Sequence, residues 1–155
     1  LSVSENPLNP QIQIMKDILD LFGRLLIAVI FYFEAYDKIF FMTATRLSMT
    51  ELGITWQQNL LIYASAFCLI LGATLIALGY RSGFGAMLIL FYWVPLTFML
   101  NQFWDYPYDH PDRRGIALHF MKNIAMIGGL LMIFAHGTGR YSIRRLFATT
   151  KVGNY

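Results

Sequence analysis

Four apolar stretches, at about 18–42, 60–80, 84–103 and 115–135, constrain what this chain can fold into more than any other feature. Each is long enough to cross the hydrocarbon core of a bilayer as a helix, which takes about 20 residues. An open strand in lipid leaves its backbone N–H and C=O groups without partners, whereas a helix satisfies them internally. The composition agrees, with 57% hydrophobic and only 14% charged residues, against roughly a quarter charged in soluble domains. A chain of 155 residues is expected to form one domain. The expected fold class is therefore all-α: a polytopic membrane protein built as a four-transmembrane-helix bundle. A polar tail over 1–17, a transmembrane domain over 18–136 and a basic tail over 137–155 complete this organisation.

The connections differ in character. Only Arg81, Ser82 and Gly83 separate the second and third segments, which predicts a tight antiparallel hairpin. The 43–59 link is polar, yet its Leu47, Leu52 and Ile54 suit a stretch lying along the interface. The 101–114 link is rich in aromatic, proline and acidic residues and suits an ordered cap. The first apolar run is too long for the core of a cleaved signal peptide and is expected to act as its own insertion signal. With both termini on one side, that side receives Lys16, Arg24, Arg81, Arg140, Arg144, Arg145 and Lys151. The other side receives Lys38, Arg46, Arg113, Arg114 and Lys122. Basic residues favour the cytoplasmic side, so both termini are expected there, with Arg24, Arg81, Arg140, Arg144 and Arg145 as anchors. Trp93, Trp104, Tyr106 and Tyr108 then fall toward the outer face, where amphipathic rings form an anchoring belt.

Three ionisable residues, Glu34, Asp37 and Lys38, interrupt the first segment. Within a membrane each costs about 2.5–3.5 kcal/mol unless paired or hydrated. Spacings of three and four put them on one helical face. Arg24 lies ten residues earlier, about 15 Å along a helix, and is too far away to neutralise them. On the fourth segment His119, Lys122 and Asn123 also share a face, in the same leaflet. Packing of the first segment against the fourth would join the two sets in one polar network, as buried charges require. Two roles remain open for it: ion pairing that fixes helix register, or a ligand or proton site.

Other chemistry is sparse. The lone cysteine, Cys68, excludes an internal disulfide and a CxxC motif. His119 and His136 stand about 25 Å apart along one helix, which excludes a haem held between them. His110, within Asp109-His110-Pro111-Asp112, has no second histidine at metal-ligand spacing. No metal site is expected. Nucleotide-binding, serine-hydrolase and zinc-protease motifs are all missing. A formal charge of +3 is too small to argue for nucleic acid. Pro95 is expected to bend its helix, and Ala73, Ala77, Gly128 and Gly129 offer small surfaces for close helix approach.

Several stretches resemble the DoxX family of small four-helix bacterial membrane proteins. Phe22-Gly23-Arg24-Leu25-Leu26 opens the first segment, and Glu34-Ala35-Tyr36-Asp37-Lys38 lies near its end. Phe120-Met121-Lys122-Asn123 leads to Gly128-Gly129-Leu130-Leu131, and His136-Gly137-Thr138-Gly139-Arg140 follows. The resemblance covers roughly residues 18–145. It implies a bacterial inner membrane and a non-catalytic subunit of a larger, redox-linked respiratory or oxidoreductase complex. Its partners would be membrane lipids and other membrane-protein subunits, with no cofactor held by this chain alone. A quinone-linked oxidoreductase subunit of the thiosulfate:quinone type is the alternative, with quinone near Glu34, Asp37, Lys38 and His119. A small transporter or lipid-handling protein is the third choice.

Overall fold

The computed structural model describes residues 10–137. It is all-helical: α1 Pro10–Phe40, α2 Met42–Glu51, α3 Gln58–Leu78, α4 Ser82–Leu100 and α5 Arg113–His136, with a 3-10 turn at Phe103–Asp105. The stretches Gln58–Leu78, Ser82–Asp105 and Arg113–His136 are long and apolar enough to cross a membrane. That makes three spans by length and composition rather than the four expected. At 31 residues α1 has the length, but Arg24 on one side and Glu34, Asp37 and Lys38 on the other leave only residues 25–33 uninterrupted. The helix extends back to Pro10, so residues 10–17 are helical. Proline is well suited to a helix start, where its missing N–H has no partner to lose.

The hairpin forms two residues earlier than the sequence suggests. Gly79 and Arg81 take positive φ angles of 65° and 49°, and Ser82 already belongs to α4. Gly79 ends α3 in the left-handed conformation that glycine adopts without steric cost. The resulting turn folds α4 directly back on α3.

α3 and α4 form the central pair, α1 packs on α3, α5 packs on α4, and α1 touches α5 only lightly. The α3–α4 seam depends on small residues. A Cβ at Gly72 would lie 2.5 Å from Ile89 Cγ1, and one at Gly85 would lie 2.8 Å from the Gly72 carbonyl oxygen. Ala73 and Ala86 are wholly buried on the same helices. Small faces let backbones approach closely enough for dispersion to hold helices together where lipid supplies no hydrophobic drive. Outside the seam, α1 contributes a stripe of buried residues, Arg24, Ala28, Phe31 and Ala35. This three- and four-residue spacing marks one helical face. Phe31 meets Trp93 edge to face, with centroids 5.3 Å apart and planes at 89°. Trp93 is therefore a core residue, only 3% exposed, and not part of an outer aromatic belt. Thr74 donates its hydroxyl to the Ile70 carbonyl, so Tyr32 is the donor in the 2.7 Å bond to Thr74 that ties α1 to α3.

Gly85→Leu should lower the thermal stability of the purified protein in detergent by on the order of 1–3 kcal/mol, as overpacking does. Gly23→Ala, where a Cβ meets nothing within 4 Å, should raise the melting temperature slightly, as alanine is the better helix former.

Candidate functional site

The three charges near the end of α1 do not act as a single face. Lys38 continues the buried stripe, half-buried, while Asp37 points outward and Glu34 sits on the flank. The Lys38 ammonium lies 5.8 Å from the centre of the Tyr92 ring on α4, close enough for a cation–π attraction. On α5, His119 and Lys122 are exposed and Asn123 is half-buried. The buried line of that helix runs instead through Phe120, Leu130 and Ile133. Among the described residues no ion pair joins Glu34, Asp37 or Lys38 to His119 or Lys122. The reason is the helix order. α3 and α4 stand between α1 and α5 along most of their length, and α1 meets α5 where Ile27 reaches Gly129.

The basic anchors fare differently from one another. Arg24 is buried to 1% exposure, and its guanidinium pairs with Asp20 at 3.1 Å, one turn earlier. It belongs to the helix-packing face rather than to a surface belt. The i,i+4 spacing of Asp20 and Arg24 is visible in the sequence and is the signal that finds this pair. Arg81 is exposed in the α3–α4 turn. Arg140, Arg144 and Arg145 lie outside the described residues.

A recess of about 730 Å³ opens between α1, α2, α3 and α4, within the size range of small-molecule pockets. Its wall is almost wholly apolar, with Met49, Leu61, Leu88 and Leu96 among the lining residues. Lys38 reaches it from α1, and Thr45 and Ser48 reach it from α2. The short helix α2 keeps its half-buried residues, Met42, Thr45, Ser48 and Met49, on one side. Leu52 and Ile54 line the recess, whereas Leu47 stays exposed. Gln58 clamps the α2–α3 link by donating to Thr50 Oγ1 at 3.0 Å and to the Ile54 carbonyl at 2.8 Å. Cys68 lines the recess as a free thiol. The recess depends on helix packing distant in sequence, so no motif announced it.

The link between α4 and α5 is the ordered cap that its composition suggests. Phe103 and Trp104 pack on Phe120, with centroids 5.5 and 5.6 Å away, and Phe98 joins them at 5.5 Å. Arg113 donates to the Phe103 carbonyl at 3.3 Å and lies 3.7 Å over the Tyr108 ring. His110 approaches the Asp112 carboxylate at 3.9 Å. Among the described residues no group of three or more histidine, cysteine, aspartate or glutamate side chains could hold a metal.

These features define a multi-pass, all-helical membrane protein. The chain belongs to the SURF4 family, whose model matches residues 15–146. It is 25% identical over 114 residues to the Surfeit locus protein 4 homolog of Schizosaccharomyces pombe, covering 72% of this chain and 36% of that protein. It is 27% identical over 128 residues to the Surfeit locus protein 4 homolog of Drosophila melanogaster, covering 83% of this chain and 40% of that protein. The chain thus spans about two fifths of the length of these curated relatives. No solved structure matches it.

Family membership corrects the resemblance to DoxX proteins. The redox-linked complex subunit falls with it, as do the thiosulfate:quinone alternative and the small transporter or lipid-handling protein. The bacterial inner membrane loses its basis, since both relatives come from eukaryotes. Of the Lys-Asn and Gly-Gly-Leu-Leu elements behind the DoxX resemblance, Lys122 is exposed and a Cβ at Gly128 would meet nothing within 4 Å, while Gly129 and the buried Leu130 serve packing.

Asp20→Asn should destabilise the protein by leaving a buried guanidinium without this partner. Combining it with Arg24→Met should cost less than the sum of the two single changes. A coupling above about 0.5 kcal/mol in a thermal double-mutant cycle would establish the pair.

Proposed function

We propose that this chain acts as a non-enzymatic, multi-pass receptor of the endoplasmic-reticulum membrane that engages secretory proteins at its luminal end. Membership of the SURF4 family is the observation that carries this reading. The ordered cap between α4 and α5 supports it. Phe103 and Trp104 pack on Phe120, and the same link presents Tyr108, 94% exposed with Arg113 over its ring, beside Asp109 and Asp112. A rigid, exposed aromatic residue among polar groups is an economical contact surface, since little side-chain entropy is lost on binding.

In this reading α1 is the fourth span. Arg24 and Lys38 lie fourteen residues apart, about 21 Å along a helix. They then fall toward opposite sides of a core about 30 Å thick, and protein covers Arg24 fully and Lys38 in part. The N-terminal tail and the basic tail with Arg140, Arg144 and Arg145 face the cytosol, following the bias of Lys and Arg toward that side. The Arg81 turn shares that side, and the cap faces the lumen. Other membrane proteins serve as partners alongside the surrounding lipid.

Topology is testable with single cysteines in a Cys68→Ser background. In sealed microsomes with the cytosolic face outward, Arg81→Cys should react with an impermeant maleimide, and Asp109→Cys only after permeabilisation. Labelling of both sites in sealed vesicles would remove α4 as a complete span.

The receptor role predicts that cells lacking the protein retain a subset of secretory proteins and that the wild-type chain restores their release. Tyr108→Ala combined with Arg113→Ala should insert normally yet fail to restore release. A secretome unchanged by loss of the protein would rule this role out.

A further inference from the structure

The recess between α1, α2, α3 and α4 has the chemistry of a lipid site. We propose that it holds one anionic glycerophospholipid, with its phosphate at Lys38 and one acyl chain lying along α4.

The lining divides into two parts. Along α4 it runs from Leu100 to Phe84, sixteen residues or about 24 Å of helix. That exceeds half of a hydrocarbon core about 30 Å thick, so a chain from the adjacent leaflet fits without leaving it. Among the lining residues Lys38 is the one that carries a charge. Glu34 and Asp37 share its helix end but do not line the recess. Thr45 and Ser48 lie on the next helix and donate their hydroxyls back to the Phe41 and Ala44 carbonyls at 3.5 and 3.3 Å. Lys38 is thus the donor that carries charge toward an occupant.

Charge decides the occupant. In a bilayer an apolar groove gains nothing by exchanging one acyl chain for another, because lipid tails are as apolar as its wall. Preference must come from the headgroup, and a half-buried ammonium prefers a phosphate that carries net negative charge. A zwitterionic headgroup brings its own cation to the same place. One acyl chain with a headgroup at the mouth matches the recess in shape and charge. The lipid is a held component of the protein, neither moved nor altered.

Cys68 is a native reporter, since it lies in the recess wall and is the only cysteine in the chain. In phosphatidylcholine nanodiscs, adding phosphatidylinositol should slow the reaction of Cys68 with N-ethylmaleimide roughly fivefold, the factor expected of one basic residue facing an anionic headgroup. Native mass spectrometry should show phosphatidylinositol retained over phosphatidylcholine. Lys38→Gln should abolish both effects and Lys38→Arg should restore them. Leu96→Trp fills the groove without touching Lys38 and should lose retention, which decides the matter if Lys38→Gln fails to fold. Equal protection by the two lipids would overturn the proposal. So would protection that survives Lys38→Gln, or a Cys68 that stays unreactive in every bilayer because protein fills the space.

Discussion

The molecule is organised around the contact between Gly72 and Gly85. Within a membrane, helices associate by shape and by polar pairs rather than by escape from water. At this point the α3 and α4 backbones approach so closely that neither helix has room for a methyl group. α1 packs on α3 and reaches α4 through Phe31 and Lys38, and α5 packs on α4. The seam therefore fixes the pair on which the outer two helices pack. It also explains why α1 and α5 meet only near Ile27 and Gly129, and why the recess opens on the side where α2 stands in place of a full span.

Polar chemistry is distributed along this frame one helix at a time. Asp20 serves Arg24 within α1, Tyr32 reaches Thr74 on α3, and Lys38 meets the Tyr92 ring on α4. Arg24 and Lys38, both on the α1 packing face, border its apolar centre, where Phe31 packs on Trp93. A centre of that kind needs no compensation for buried charge, which is expensive to satisfy away from water.

What the sequence made legible follows from how local each cause is. Three spans, the hairpin and the ordered cap could all be read from runs of apolar residues, a short link and an aromatic cluster. Helix order could not. His119 and Lys122 have the right spacing on α5 and the right depth to meet Glu34 and Lys38, but the intervening α3–α4 pair keeps them apart. Residue type makes Trp93 an interfacial anchor, but its position on the Ile89–Trp93–Thr97 face of α4 makes it core. Arg24 was read by charge as a surface anchor, although Asp20 one turn away permits its burial. The family was obscured for a related reason. Small residues are favoured wherever membrane helices pack closely, so short motifs built on them do not separate lineages, whereas a match over residues 15–146 does.

The turn at Gly79–Arg81 bears on how the protein assembles. It places the tightest helix contact between segments only a few residues apart in the chain, and local contacts close with little loss of chain entropy. The α3–α4 hairpin can therefore form as soon as its second helix has entered the bilayer. α1 is made earlier in the chain, and its charged stripe is covered only once α3 is in place. The order of synthesis and the order of packing thus differ, and the interval between them is when Arg24 and Lys38 depend most on whatever else surrounds them.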